Sequence, residues 1–167
     1  VSGGYERPMW FALDGEKTEY EYSYNYQSWY PSAEYETSNT IKNVGLFDLT
    51  PFSKFEIKSD KAYQELQRIC TANIKKDVGK CTYTHMLNSD GGIETDLTIV
   101  AIDENHFRII SSAATRERDK HHIKKHLNKD IELKDVTDDY CVFGLFGPKS
   151  RNLLSSLSKD NFDNENF

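Results

Sequence analysis

The segment CTYTHMLNSDGGIETDLTIV, Cys81 to Val100, constrains the fold more than any other. Two runs bearing apolar residues flank Ser89-Asp90-Gly91-Gly92. An Asp-Gly-Gly turn favours positive φ, which lets a tight hairpin follow the right-handed twist of its strands. The segment therefore reads as an antiparallel strand pair. Side chains alternate faces along a strand, so Thr95, Leu97, Ile99 and Ala101 share one face, mostly core. Glu94, Asp96, Thr98 and Val100 share the other, which begins polar and becomes apolar, with Asp96 at the boundary. Tyr83 and His85 share one face of the partner strand and fall across from it. Two readings of Asp96 stay open. It is a solvated acid beside a turn, or a carboxylate in a pocket wall next to aromatic rings, suited to a protonated or polar N–H group of a ligand.

The rest of the chain alternates helices with short strands. A helix is expected after Pro31-Ser32, to about Lys42. VGLFDLT and KFEIK read as strands around the turn Thr50-Pro51-Phe52-Ser53. Asp60 is placed to cap a helix whose apolar residues, Ala62, Leu66, Ile69 and Cys70, recur at helical spacing. HFRIIS reads as a strand, Ala114 to Leu127 as a helix with Ile123 and Leu127 inward, and DIELKDV and YCVFGLFG as strands. Gly147-Pro148 is expected to open a last helix, with proline at its first position. Tight hairpins mixed with helices predict an α+β fold with a largely antiparallel sheet and packed helices.

Tyr20, Tyr22, Tyr24 and Tyr26 alternate with polar residues, a period of two that predicts an extended segment, either a packed arm or a stacking platform. The net charge of −6 argues against nucleic acid as a partner. Basic residues crowd RERDKHHIKKH, Arg116 to His126, and read as a solvated helix face. His122 and His126 have metal-ligand spacing, but Lys120, Lys124 and Lys125 around them repel a cation, so no metal site is expected. No apolar run approaches the roughly 18 residues of a membrane span, so no membrane association is expected. Cys70, Cys81 and Cys141 are odd in number and widely spaced, which suggests small buried residues in a reducing compartment. The opening at Val1 and the closing DNFDNENF read as part of a longer polypeptide.

Four motifs carry a family resemblance: VGLFDLTPFSKFEI, GKCTYTHMLNSDGGIETDLTIV, FRIISSAATRERD and VFGLFGPKSRNLL. In this order they resemble the aminomethyltransferase family, the folate-binding fold of the glycine-cleavage T-protein, over roughly Val44 to Leu157. The chain is most similar to the folate domain of dimethylglycine and sarcosine dehydrogenases, which carry a flavin domain before it. Thr50-Pro51-Phe52 stands where the T-protein usually has Ser-His-Met. Thr95-Asp96 stands where it usually has two aspartates. RPMWF, Arg7 to Phe11, resembles the segment leading into the dehydrogenases' folate domain.

The resemblance implies a lead-in over residues 1–43 and the N-terminal portion of a folate-binding domain over 44–167. Asp96 falls on the family's catalytic aspartate, which faces the reactive edge of tetrahydrofolate. Tyr83 falls on a tyrosine lining the same pocket, Phe52 on a pocket methionine and Ser112 on a pterin-side asparagine. Glu94 matches no family role and is expected to be a solvated neighbour. The implied activity is capture of a one-carbon unit as 5,10-methylenetetrahydrofolate. The cofactors implied are tetrahydrofolate here and FAD in a domain outside this chain, where an N-methyl amine would be oxidised. A partial domain is expected to be inactive alone and to self-associate. The compartment implied is the bacterial cytoplasm or the mitochondrial matrix. Competing readings are a stand-alone glycine-cleavage aminomethyltransferase, whose partner is a lipoyl carrier protein, and a non-catalytic relative.

Overall fold

The computed structural model describes residues 8–166. They divide into two compact units. One holds the residues up to Phe47 together with those from Phe143 onward, and the other runs from Asp48 to Val142.

In the first unit, helix α1 (Tyr30–Lys42) has a proline in its first turn, where the missing N–H costs nothing. Strands β1 (Gly45–Asp48) and β7 (Phe143–Phe146) pair into a two-stranded sheet, and helix α4 (Ser150–Leu157) follows. Gly147 is needed between β7 and α4. Its φ is +114°, and a Cβ there would collide with the carbonyl oxygens of Asn43 and Thr40. Pro148 precedes α4 without entering it, because Lys149 is the N-cap residue. The segment before α1 does not form a strand. Its tyrosines make edge contacts, Tyr20 with Tyr22 and Tyr26 with Tyr30, while Tyr22, Tyr24 and Tyr26 stay largely exposed. Alternation alone did not extend this segment, since no neighbouring strand satisfies its backbone.

The second unit is built on a five-stranded antiparallel sheet in the order β3-β4-β5-β2-β6. Its strands are β2 (Ser53–Lys58), β3 (Cys81–Leu87), β4 (Ile93–Asp103), β5 (His106–Ser111) and β6 (Leu133–Asp135). The helices are α2 (Ala62–Ile69) and α3 (Arg116–His126), the latter preceded by a single 3-10 turn over Ala113–Thr115. β1 and β2 flank the Thr50–Phe52 turn but join different sheets.

One face of the larger sheet is core. Phe55 and Ile57 of β2, Leu97 and Ile99 of β4, and Phe107 and Ile109 of β5 pack there with Leu66 of α2 and Ile123 of α3. The α+β expectation and the inward positions on β4 are borne out. Asp60 does not cap α2. Lys61 occupies that place without a side-chain cap, and Asp60 accepts a hydrogen bond from Ser59 instead. Cys70 is buried, and burial pushes its thiol pKa up to about 12. Cys81 and Cys141 are exposed, which corrects the expectation of three buried thiols. Among the described residues no helix is long and apolar enough to cross a membrane.

Candidate functional site

The outer face of the β3–β4 pair brings together three of the side chains singled out by the hairpin. His85 lies directly opposite Asp96 in the register, and Tyr83 lies opposite Thr98. Tyr83 is thus diagonal to Asp96 on the same face, within reach of a long side chain. Its hydroxyl donates to Asp96 Oδ2 at 3.2 Å. The hydrogen bond it donates to Asp96, and then burial, raise the Tyr83 phenol pKa, and the negative charge of Asp96 adds to this. The His85 ring meets the Tyr83 ring edge-on, 5.3 Å between centroids. Leu97 and Ile99 lie in the core behind, as the alternation requires. The face itself is open. Asp96 is exposed and Tyr83 is 61% exposed, so the aspartate retains acceptor sites for an incoming N–H.

Register extends this cluster across the sheet. Ser111 pairs with both Leu97 of β4 and Ser53 of β2. One step further along the three strands lie Asp96, Ser112 and Phe52. The four residues named by the family resemblance therefore gather at one end of the sheet. The Phe52 side chain is 39% exposed. Ser112 Oγ accepts from the Ala114 N–H and caps the 3-10 turn, leaving its own hydroxyl proton free to donate. A cavity of about 470 Å³ adjoins this end, bordered by Thr50, Pro51 and Ala113, the chain neighbours of Phe52 and Ser112.

Lys54 is a site-positioning residue that the sequence reading missed. Its side chain is buried, and its ammonium donates to the carbonyls of Thr50 at 2.8 Å and Phe52 at 3.0 Å. It thereby fastens the turn that carries Phe52. The available signal was a lysine inside SKFEIK at a position next to strand residues destined for the core.

Glu94 departs from the alternation. The β3–β4 register shifts between Met86 and Leu87, so that Thr95 and Ile93 are paired and Glu94 between them is not. Such a bulge re-aims a side chain. The Glu94 carboxylate lies 3.9 Å from Arg118 of α3 and is only 28% exposed. It is neither a partner of Asp96 nor a freely solvated acid.

The family model described as GCVT N-terminal domain matches residues 1–167. The 4-methylaminobutanoate oxidase (formaldehyde-forming) of Paenarthrobacter nicotinovorans is 34% identical over 166 residues, covering 99% of this chain and 20% of that protein. The mitochondrial dimethylglycine dehydrogenase of Rattus norvegicus is 30% identical over 167 residues, covering 98% of this chain and 19% of that protein. This chain thus spans about a fifth of the length of these curated relatives. Among solved structures, the glycine cleavage system aminomethyltransferase T from Bartonella henselae superposes with a TM-score of 0.70 at 18% identity, covering 83% of this chain and 39% of that one. At that identity the match speaks for the fold.

Proposed function

The chain belongs to the aminomethyltransferase-type folate-binding family, as a GCVT N-terminal domain, and from that membership we propose that it takes part in tetrahydrofolate-dependent one-carbon transfer within a flavin-linked N-methyl amine dehydrogenase. The observation that carries the reading is the Tyr83–Asp96 pair on an open sheet face, with Ser112 and Phe52 level with Asp96 just beyond the ends of the neighbouring strands β5 and β2.

These residues suit a pteridine. Asp96 offers a carboxylate whose only hydrogen bond given by the described side chains is from Tyr83. Tyr83 and Phe52 offer exposed ring surface, and Ser112 retains a hydroxyl donor. Tetrahydrofolate, when bound, supplies the nucleophilic nitrogens that accept the one-carbon unit. Asp96 would hold an N–H of the ring system by a charge-assisted hydrogen bond and stabilise positive charge that develops on nitrogen. The Tyr83 hydroxyl would keep the carboxylate aimed. Phe52, on the turn fixed by Lys54, would cover the reacting edge and limit water, which protects a hydrolysable iminium. FAD is assigned to another part of the polypeptide, where the amine would be oxidised, and the compartment proposed is bacterial cytoplasm or mitochondrial matrix.

A second reading is favoured by the name of the Paenarthrobacter relative, a formaldehyde-forming oxidase. In that reading the one-carbon unit leaves as free formaldehyde and the fold serves without transfer. Turnover of an N-methyl amine by the polypeptide containing this chain, with and without tetrahydrofolate and with a formaldehyde scavenger present so that released formaldehyde does not condense with tetrahydrofolate in solution, separates the two. The proposal expects 5,10-methylenetetrahydrofolate to appear and formaldehyde to fall correspondingly. Unchanged formaldehyde release in saturating tetrahydrofolate would reject it.

A further inference from the structure

The basic run of α3, which reads in the sequence as a solvated face, borders a cavity of about 400 Å³ against the β3–β4 turn. Arg118, His122, Lys125 and His126 line it from α3, and Glu94 lines it from β4. We propose that this cavity binds a doubly charged oxyanion of the sulfate and phosphate class.

The charge balance favours an anion. Two permanent cations, Arg118 and Lys125, and three imidazoles line the cavity against one lining carboxylate, Glu94; the buried Asp119 beneath Arg118 takes up part of the guanidinium charge, so the exposed Lys125 and the imidazoles supply the positive surplus for a ligand. Arg118 is held in place from below. Its Nε and Nη2 donate to Oδ1 of Asp119, at 3.3 and 3.2 Å. Asp119 is fully buried and also accepts from the Thr115 hydroxyl at 2.7 Å. The guanidinium carries five N–H donors in a fixed fork, so donors remain for a ligand. Lys125 is exposed and makes no ion pair among the described residues.

The histidines add donors that depend on protonation. The Nδ1–H of His126 donates to the His122 carbonyl at 2.8 Å, which leaves Nε2 as the nitrogen open to a ligand. The two rings lie 4.4 Å apart between centroids. Burial first, then the charges of His126 and Lys125, lower the His122 pKa, while Glu94 and Asp119 oppose this only in part. From α2, Arg68 donates to the His126 carbonyl and is itself paired with Glu65. His121 completes the rim. A dianion in the cavity adds negative charge beside His122, so binding favours its protonated form. A metal ion is disfavoured by the same cations, and among the described residues no group of three or more His, Cys, Asp or Glu is placed to hold one. The volume lies within the range of about 300–1,000 Å³ typical of organic ligand sites, so the oxyanion has room to carry an organic body.

The test is imidazole NMR of the 167-residue chain titrated with sodium sulfate, whose charge is constant between pH 6 and 8, against sodium chloride at equal ionic strength. The proposal expects saturable shifts at His122 and His126 with sulfate only, a raised His122 pKa in its presence, and tighter binding at the lower pH. Lys125→Gln should weaken binding about tenfold, the scale of one hydrogen bond to a charged group. Lys124→Gln, away from the cavity, should leave it unchanged. Equal shifts with chloride, or equal effects of the two lysine variants, would overturn the proposal. Comparison of phenyl phosphate with inorganic phosphate identifies the source: tighter phenyl phosphate binding assigns an organic phosphate, equal binding the free ion, and either supports the site.

Discussion

The Tyr83 hydroxyl donates to the Asp96 carboxylate across the β3–β4 pair, on the diagonal two residues along β3 from His85, which lies directly opposite Asp96. The bond stabilises the protonated phenol, so the Tyr83 pKa stands above its ordinary value. Replacing Asp96 by Asn removes the charge and weakens the acceptor. The Tyr83 titration, followed by ¹³C NMR of labelled tyrosine, should then move to lower pH, with the other tyrosines unmoved. An unchanged Tyr83 midpoint would show that the pair does not form in solution.

Asp135 should govern acid stability. Burial alone would raise its pKa. Arg116 with two hydrogen bonds, then Thr137, and Lys120 more weakly, instead hold it well below the usual carboxylate range. A carboxyl depressed in the folded state adds stability above its unfolded pKa, and that stability is lost as pH falls through the folded value. Asp135→Asn should therefore cost about 2 kcal/mol at pH 7. In urea unfolding the gap to wild type should narrow steadily below pH 4. A constant gap down to pH 2.5 would argue against this ion pair.

Lys54→Met should loosen the turn without disturbing the sheet. Met is close in length and keeps the buried stem, but two carbonyls lose their donor. The expected loss is about 1–3 kcal/mol. Faster amide exchange at Phe52, whose N–H bonds the Leu49 carbonyl at 3.1 Å, should accompany it. Exchange at Ile57, deep in β2, should change only as much as global stability does. Unchanged protection of Phe52 would mean that the turn does not depend on Lys54.

The sequence made the hairpin and its inward face legible because period-two alternation and an Asp-Gly-Gly turn agree with each other. Gly91 does adopt positive φ, +79°. Glu94 was misread because a one-residue bulge is invisible to alternation. The tyrosines at positions 20 to 26 were misread because period two describes faces only when a neighbouring strand is present. Lys54 escaped notice because its burial depends on the carbonyls of a turn, which carry no side-chain signature. Asp96, Tyr83, Phe52 and Ser112 were named through family resemblance, and only the register of β2, β4 and β5 reveals that they share one end of the sheet.

The two-stranded sheet should drive weak self-association. Leu46, Phe47, Phe143 and Phe146 are all substantially exposed on β1 and β7, and Phe47 and Phe146 meet edge-on at 5.4 Å. Exposed apolar clusters of this kind seek cover. Sedimentation velocity should reveal concentration-dependent association of the chain, reduced by Phe143→Lys. Sedimentation as a single species independent of concentration would refute this.

The central claim is that Asp96 acts on folate. The most direct measurement is single-turnover formation of 5,10-methylenetetrahydrofolate by the full polypeptide that is proposed to join this chain to a flavin domain, wild type against Asp96→Asn. The substitution is nearly isosteric and lies on an exposed face, so the fold should persist. The account predicts a fall of about 10²-fold or more in methylene transfer, the scale of losing one electrostatic stabiliser, with the rate of flavin reduction by the amine unchanged. Transfer at the wild-type rate would contradict it.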